Sequence, residues 1–116
     1  MLLRIDQSST TPLFDQLAAS IRAAAISGDV KAGERLPAAR ELAESLEINV
    51  HTVLRAYQVL RDEGLVDLRR GRGAVVTDRA ARYSQLSAAI DAVVAEARIL
   101  ELSPDTVTAL LREALR

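Results

Sequence analysis

The 116 residues of this chain carry a formal net charge of −1, contain no cysteine and are 49% apolar but only 3% aromatic. This length suits one compact domain, or a small domain with an appendage, and leaves little room for a large enzymatic cleft. The missing cysteines exclude disulfides and thiolate catalysis, and burial must come mainly from Leu, Val, Ile and Ala, which predicts a helix-rich protein.

The first predicted elements are a short extended segment and an amphipathic helix. Residues 2–6, LLRID, alternate apolar and polar side chains, which favours a short strand or an extended arm. Pro12 suits a helix start with Thr10 or Thr11 as its cap, and the helix should stop at Gly28. Its buried face is predicted to contain Phe14, Leu17, Ile21, Ala24 and Ala25.

A connector, GDVKAGERLP, separates this helix from a second, shorter one. Its two glycines and its proline favour turns, and Pro37 can occupy the first turn of the next helix. That helix, AARELAESL, spans about two turns and has Leu42, Ala43 and Leu46 on its inner face.

A third helix is predicted from Asn49, a favourable N-cap residue, to the stop at Gly64. At about 100° per residue, one sector of this helix is apolar and is predicted to be core. The core sector contains Val53, Ala56, Tyr57 and Leu60. The opposite sector is predicted to face outward and contains Val50, His51, Leu54, Arg55 and Gln58.

Two β-prone runs, LVDLRR and AVV, flank the turn GRG and predict a hairpin that ends near Asp78. Here the chain gathers Arg69, Arg70 and Arg72, although its net charge is only −1. Any nucleic-acid binding by a nearly neutral chain has to rest on such a local cluster. Strand alternation points Arg69 opposite to Arg70, so Arg70 and Arg72 are the stronger candidates for a phosphate contact.

From Arg79 onward the chain predicts two helices. The first is long and amphipathic, and the second begins with Ser103 as N-cap and Pro104 at its first position. Apolar side chains form a stripe along both helices: Leu86, Ile90, Val93, Val94, Ala97, Leu100, Val107, Leu110, Leu111 and Leu115.

Three helices followed by a two-stranded hairpin predict a winged helix-turn-helix. The fold class is therefore mainly α with a small β wing: residues 1–78 form the winged helix-turn-helix domain and residues 79–116 a short two-helix tail. This arrangement presents the third helix to the major groove of DNA, and the wing carries cations along the adjoining backbone or minor groove. Val50 and Leu54 could then meet thymine methyl groups, and His51 could contact a base.

Residues 11–76 resemble the GntR family of bacterial transcription regulators. The resemblance lies in the start PLF, in GERLPAARELAESL, in HTVLRAYQVLRDEGL and in the Gly-rich hairpin. The form NVHTVLRAY and the short helical tail are similar to the YtrA-type subfamily. The resemblance implies a homodimeric repressor that binds double-stranded DNA, with contacts at Arg40, Thr52, Arg55, Arg70, Gly71, Arg72 and Gly73.

The chain departs from the family pattern at three places. Ala38 stands where the family has a serine, which removes a cap hydroxyl. Glu47 stands where the turn between the second and third helices has a glycine. Val50 and His51 replace the Pro-Asn or Ser-Arg that often starts the third helix. We therefore expect the fold to be kept and the base preference to differ.

The predicted contacts have structural alternatives. Arg40 could pair with Glu44 one helical turn away, Arg55 could pair with another carboxylate, and the Thr52 hydroxyl could cap the third helix. His51 is the only histidine, so no metal site is predicted. No catalytic triad, carboxylate pair or phosphate loop can be assembled, so we predict neither an enzyme nor a cofactor. The alternative function is a protein-interaction module whose basic wing contacts an acidic partner.

The tail is predicted to be the dimerisation element. Two short helices cannot cover both of their apolar faces in water, whereas a second copy can. The residues predicted at this dimer interface are Leu86, Ile90, Val93, Ala97, Leu110 and Leu111. Packing of this stripe on the first helix of the same chain is the alternative.

The sequence identifies no small-molecule effector, and the tail is predicted to be too small to enclose a ligand pocket of ~300 Å³. No apolar run reaches the ~18 residues that a membrane span needs. We expect a cytoplasmic protein without a membrane partner.

Overall fold

The structure, a computed structural model, describes residues 3–116. It divides into two compact units, one ending at Ser84 and the other running from Gln85 to Arg116. The elements in chain order are α1 (Leu13–Ser27), α2 (Ala39–Leu46), α3 (Val50–Asp62), β1 (Val66–Arg69), β2 (Gly73–Val76), a 3-10 helix (Asp78–Arg82), α4 (Tyr83–Ile99) and α5 (Pro104–Ala114). The predicted fold class, mainly α with a small β wing, is confirmed.

The first unit is built around α3. Its predicted inner residues Val53, Ala56, Tyr57 and Leu60 are each at most 3% exposed. The helices α1 and α2 pack on this face, and β1 contacts the same helix. The predicted core residues Leu17, Ile21, Ala25, Leu42 and Ala43 are also buried, whereas Phe14, Ala24 and Leu46 are partly buried against the core.

The structure corrects two predicted helix starts. Pro12 itself takes the N-cap position of α1, and no side chain caps this helix, so the predicted cap at Thr10 or Thr11 is wrong. Pro37 does not lie in α2, which begins at Ala39. The Pro37 carbonyl accepts a hydrogen bond of 2.6 Å from the Tyr57 hydroxyl, which ties this residue to α3.

The start of α3 is confirmed, because the Asn49 side chain accepts a hydrogen bond of 2.8 Å from the His51 amide. Its end is fixed by Gly64, which has a φ of 79°. An ion pair then holds this end to α1: the Arg22 guanidinium donates two hydrogen bonds, of 2.8 and 2.7 Å, to the Glu63 carboxylate. The bond to Glu63 raises the pKa of Arg22 above its usual range.

The wing contains more backbone pairing than the sequence predicts. The strands β1 and β2 pair antiparallel with Arg69 opposite Gly73. The connector before α2, predicted only as a turn region, forms an antiparallel bridge from Arg35 to Val75 on the other side of β2. Two hydrogen bonds of 2.8 Å, Leu36 N–H to the Ala74 oxygen and Val76 N–H to the Glu34 oxygen, hold it there.

The first unit extends past the predicted boundary at residue 78. Ala80 of the 3-10 helix is buried in the core. The Tyr83 hydroxyl donates a 3.0 Å hydrogen bond to the Glu63 carbonyl. These contacts keep residues 79–84 with the first unit, and the long helix predicted from Arg79 begins at Tyr83.

The second unit contains the rest of α4 and all of α5. Ser103 caps α5 by accepting a hydrogen bond of 3.2 Å from the Thr106 amide, and Pro104 is the first helical residue, as predicted. No residue of α4 or α5 is buried. Among residues 3–116, no helix is both long and apolar enough to span a membrane.

The segment before α1 is an extended arm and does not pair as a strand. The Gln16 side chain holds it through two bonds, accepting from the Asp6 amide at 2.7 Å and donating to the Asp6 carbonyl at 3.0 Å. A bond from the Ser8 hydroxyl lowers the pKa of Asp6. Leu2, part of the predicted segment, lies outside the described residues.

Two glutamates end helices in the left-handed conformation that usually favours glycine. Glu47 after α2 has a φ of 56° and Glu101 after α4 a φ of 55°. Around Glu47 the backbone closes with the Ile48 amide donating to the Ala43 carbonyl at 3.0 Å. Because an L side chain is strained in this conformation, the tight turn between α2 and α3 forms with Glu47 at this position only by lowering the free energy of unfolding.

Replacing Glu47 with glycine should raise the free energy of unfolding by about 1 kcal/mol, because glycine adopts a positive φ without steric strain. Urea unfolding followed by circular dichroism measures the change. Glu47→Ala is the matched control, since it keeps a Cβ at the same φ and should bring no such gain. A glycine variant no more stable than the alanine variant would contradict strain at this turn.

Candidate nucleic-acid interface

The outward face of α3 lies opposite its buried face, as predicted. His51, Arg55 and Gln58 are exposed, and Leu54 is 41% exposed. Val50 is less open than predicted, because it is half-buried and packs against the core. The helix therefore presents an imidazole, a guanidinium, an amide and an apolar side chain to its surroundings.

Arg55 and Arg40 do not make the carboxylate pairs considered from the sequence. Within residues 3–116, neither arginine forms an ion pair. The Arg55 guanidinium carbon instead lies 3.8 Å from the centroid of the Phe14 ring, a cation–π contact between α3 and α1. Arg40, in the first turn of α2, is exposed.

The Thr52 hydroxyl is not the cap of α3. Asn49 supplies the capping side chain, and the Thr52 amide donates to the Asn49 carbonyl at 3.0 Å. The Thr52 side chain is half-buried. Ala38 takes the N-cap position of α2 with no side-chain hydrogen bond, as expected from the missing serine.

The tip of the wing is a turn closed by the Arg72 amide, which donates to the Arg69 carbonyl at 3.0 Å. Gly71 has a φ of 80°, a conformation that L side chains rarely adopt, although the space around it would admit a Cβ. The Arg69 guanidinium pairs with Asp67 at 3.3 Å. Arg70 and Arg72 are exposed and make no ion pair within the described residues.

A groove of about 380 Å³ joins α3, the start of α2 and the wing. Of the predicted residues it brings together Leu54, Arg70 and Gly73. Gln58 and Leu68 also line it, and Leu68, which is 39% exposed, was not predicted at the site. Strand alternation could have identified Leu68, because it lies between Asp67 and Arg69 on the opposite face of β1.

Arg72 lies elsewhere on the wing. It lines a separate depression with Asp67, Arg69 and Asp78. Arg40, His51 and Thr52 line neither surface. The predicted site residues thus occupy one unit but not one pocket, an arrangement that suits an extended partner better than a small ligand.

The second unit has an apolar groove between α4 and α5. It measures about 430 Å³, and the predicted interface residues Val93, Ala97, Leu110 and Leu111 line it. Leu86 and Ile90 lie outside the groove and are 55% and 48% exposed. This groove is open to its surroundings and is not an enclosed cavity, so it does not contradict the prediction that the tail is too small to enclose a ligand pocket of ~300 Å³.

A three-helix unit whose third helix presents an exposed face beside a two-stranded wing is a winged helix-turn-helix, a class of nucleic-acid-binding folds. The family described as "Bacterial regulatory proteins, gntR family" matches residues 13–76. The chain belongs to this family of DNA-binding transcriptional regulators, and the resemblance seen in the sequence is confirmed.

Relatives place the chain among YtrA-like members. It is 35% identical over 79 residues to the HTH-type transcriptional repressor YtrA of Bacillus subtilis, covering 68% of this chain and 61% of that protein. It is 34% identical over 101 residues to an HTH-type transcriptional regulator of Mycobacterium tuberculosis, covering 87% and 84%. The solved structure of YtrA from Sulfolobus acidocaldarius, a GntR-family transcription factor, is 30% identical with a TM-score of 0.62, covering 97% of this chain and 96% of that chain.

Tyr57 links the buried face of α3 to the loop before α2, and burial raises its pKa to about 12 from 10.0. The folded state therefore favours the neutral phenol. The neutral Tyr57 phenol contributes fully to the free energy of unfolding below pH 10, and this contribution is lost as the pH rises towards 12.

Tyr57→Phe should lower the free energy of unfolding at pH 7 by about 1 kcal/mol, the net value of a typical hydrogen bond. Because phenylalanine cannot ionise, the stability difference between the two proteins should shrink between about pH 10 and pH 12. Urea unfolding at a series of pH values measures it. A difference that stayed constant over this range would show that the phenol is not held in its neutral form.

Proposed function

We propose that the chain is a sequence-specific transcriptional repressor that binds an inverted-repeat operator as a homodimer in the cytoplasm. The third helix enters the major groove, and the wing follows the neighbouring backbone. The observation that supports the proposal is the outward face of α3, where His51, Leu54 and Arg55 are exposed. In the adjacent wing, Arg70 and Arg72 form no ion pair among the described residues. The repressor role is supported by the name of the Bacillus subtilis relative.

Local charge makes this proposal compatible with a net charge of −1. Arg40, Arg55, Arg70 and Arg72 retain charges that no carboxylate neutralises within the described chain. DNA phosphates can take the place of those missing partners, and each neutralised phosphate releases counterions. Binding therefore needs clustered arginines and does not need an overall basic protein.

The helix and the wing would have different roles. Residues on α3 differ in chemistry, and imidazole, guanidinium and apolar groups can each distinguish base edges in the major groove. The wing offers arginines on a glycine-flanked turn, which suits the phosphate backbone and carries no base code by itself. Specificity should come from Val50, His51 and Leu54, and sequence-independent affinity from Arg70 and Arg72.

Arg72→Ala should weaken binding to all duplexes about equally and lower the slope of log affinity against log salt by about 1. Substituting His51 or Val50 should instead change the preferred base, by about 1–3 kcal/mol for a lost contact. Gel-shift titrations on a duplex selected from a random pool, and on an unselected duplex, measure both effects over a range of salt concentrations.

Arg98→Ala, which removes the same charge from α4, is the matched control and should leave the salt slope unchanged. An unchanged slope in Arg72→Ala would remove the wing from the interface. If no duplex outcompeted any other and salt had little effect, a protein-interaction module would be favoured over a DNA-binding regulator.

The homodimer is proposed from the second unit. Leu86, Ile90, Val93 and Ala97 recur every four, three and four residues, the spacing of a helix-packing seam. Three of these side chains are exposed, and neither helix of the unit has a buried residue. A second copy would remove this apolar surface from water, and two-fold symmetry would set two wings on two half-sites of a palindrome.

Replacing Ile90 and Val93 with aspartate should produce a folded monomer, because charges at a helix interface lose hydration without a partner. Operator affinity should fall by about 100-fold, as expected when two DNA-binding domains are no longer linked in one dimer. Sedimentation and footprinting measure the two effects. Ala88→Asp and Ala95→Asp, on the opposite face of α4, form the control. A double mutant that stayed dimeric and protected a full palindrome would place the dimer interface elsewhere.

A further inference from the structure

Phe14 and Arg55 make a contact that the sequence did not reveal. Phe14 lies in the first turn of α1 and is partly buried against the core. Arg55 is on the outward face of α3, and its guanidinium carbon is 3.8 Å from the centre of the Phe14 ring. Within residues 3–116 this is the one cation–π contact found.

We propose that Phe14 is a positioning residue for DNA recognition, holding the Arg55 guanidinium flat so that its edge meets a planar, two-oxygen or oxygen–nitrogen acceptor on the duplex. This inference rests on the proposed function. It assigns a role in DNA binding to a residue of α1, a helix whose other described contribution is buried side chains in the core.

The chemistry of the guanidinium explains why a ring is the right support. Stacking engages the face of the plane, whereas the N–H donors lie in the plane and stay available for a bidentate bond. The ring is itself held by packing against the core, so the support is rigid. A free arginine loses rotamer freedom when it binds, and one already held by a ring loses less.

Arg55 also has the other requirements of a contact residue. It is exposed and has no carboxylate partner within the described residues. It lies one residue beyond Leu54, which lines the groove between α3 and the wing. Among the residues that the structure describes, Arg40, Arg70 and Arg72 make no cation–π contact, so the effect of Phe14 should be confined to Arg55.

The test is a double-mutant cycle on the full chain, with a duplex selected from a random pool by the unaltered protein as the probe. Phe14→Leu removes the ring and should weaken binding about two- to fivefold, the range of an exposed cation–π contact. Phe14→Tyr keeps the ring and should bind within about twofold of the unaltered chain. Arg55→Ala should weaken binding more than Phe14→Leu, and adding Phe14→Leu to it should cause no further loss.

Ala24→Gly controls for a merely structural effect. It destabilises α1 away from Arg55 and should leave DNA affinity unchanged at temperatures where both variants are folded, as checked by urea unfolding. Equal losses from Phe14→Leu in the presence and absence of Arg55 would overturn the proposal. So would an unaltered affinity of Phe14→Leu.

The same variants distinguish a guanine edge from a phosphate as the acceptor for Arg55. They also distinguish failure of the positioning role of Phe14 from failure of the proposed regulator function. A loss at one base position assigns the acceptor to a guanine edge, and an equal loss on all duplexes assigns it to phosphate; both support positioning. If Arg55→Ala has no effect while Arg72→Ala weakens binding, the positioning role fails and the regulator function stands. If no duplex is bound by the unaltered chain, both fail.

Discussion

Burial of one face of α3 is the constraint on which the rest of the first unit depends. With Val53, Ala56, Tyr57 and Leu60 in the core, the helical period leaves His51, Leu54 and Arg55 no position except the outside. Turning the helix by one residue would bury a guanidinium or expose leucine, and both changes cost free energy.

The positions of the segments around α3 depend on contacts with this helix. The Tyr57 hydroxyl fixes the loop before α2. The Leu65 amide donates to the Leu60 carbonyl at 2.9 Å and leads the chain from the helix into β1. The groove between the helix and the wing is therefore a consequence of how the core is packed, since α3 forms one of its walls and the other walls, the start of α2 and the wing, are positioned by bonds to α3.

The sequence was sufficient where the information was local. Hydrophobic periodicity predicted α1 to α5 but not the 3-10 helix before α4, the glycines around Arg70 and Arg72 predicted the wing, and Asn49 predicted the start of α3. It was not sufficient for contacts between distant segments: the bridge from Arg35 to Val75 and the stacking of Arg55 on Phe14. Neither has a periodic or compositional signal, because each depends on which parts of the folded chain meet.

The pairing of the connector with β2 has a consequence for solubility. A strand with a free edge can recruit strands from other molecules, and small sheets are exposed to this hazard. Because β1 covers one edge of β2 and residues 34–36 cover the other, the outer edges in the part of the chain that the structure describes lie on residues 34–36 and on the free edge of β1. That edge is four residues long and bears an aspartate and an arginine paired with each other. Short, charged edges resist edge-to-edge aggregation, so a wing that stays open to a partner is still protected against self-association through its backbone.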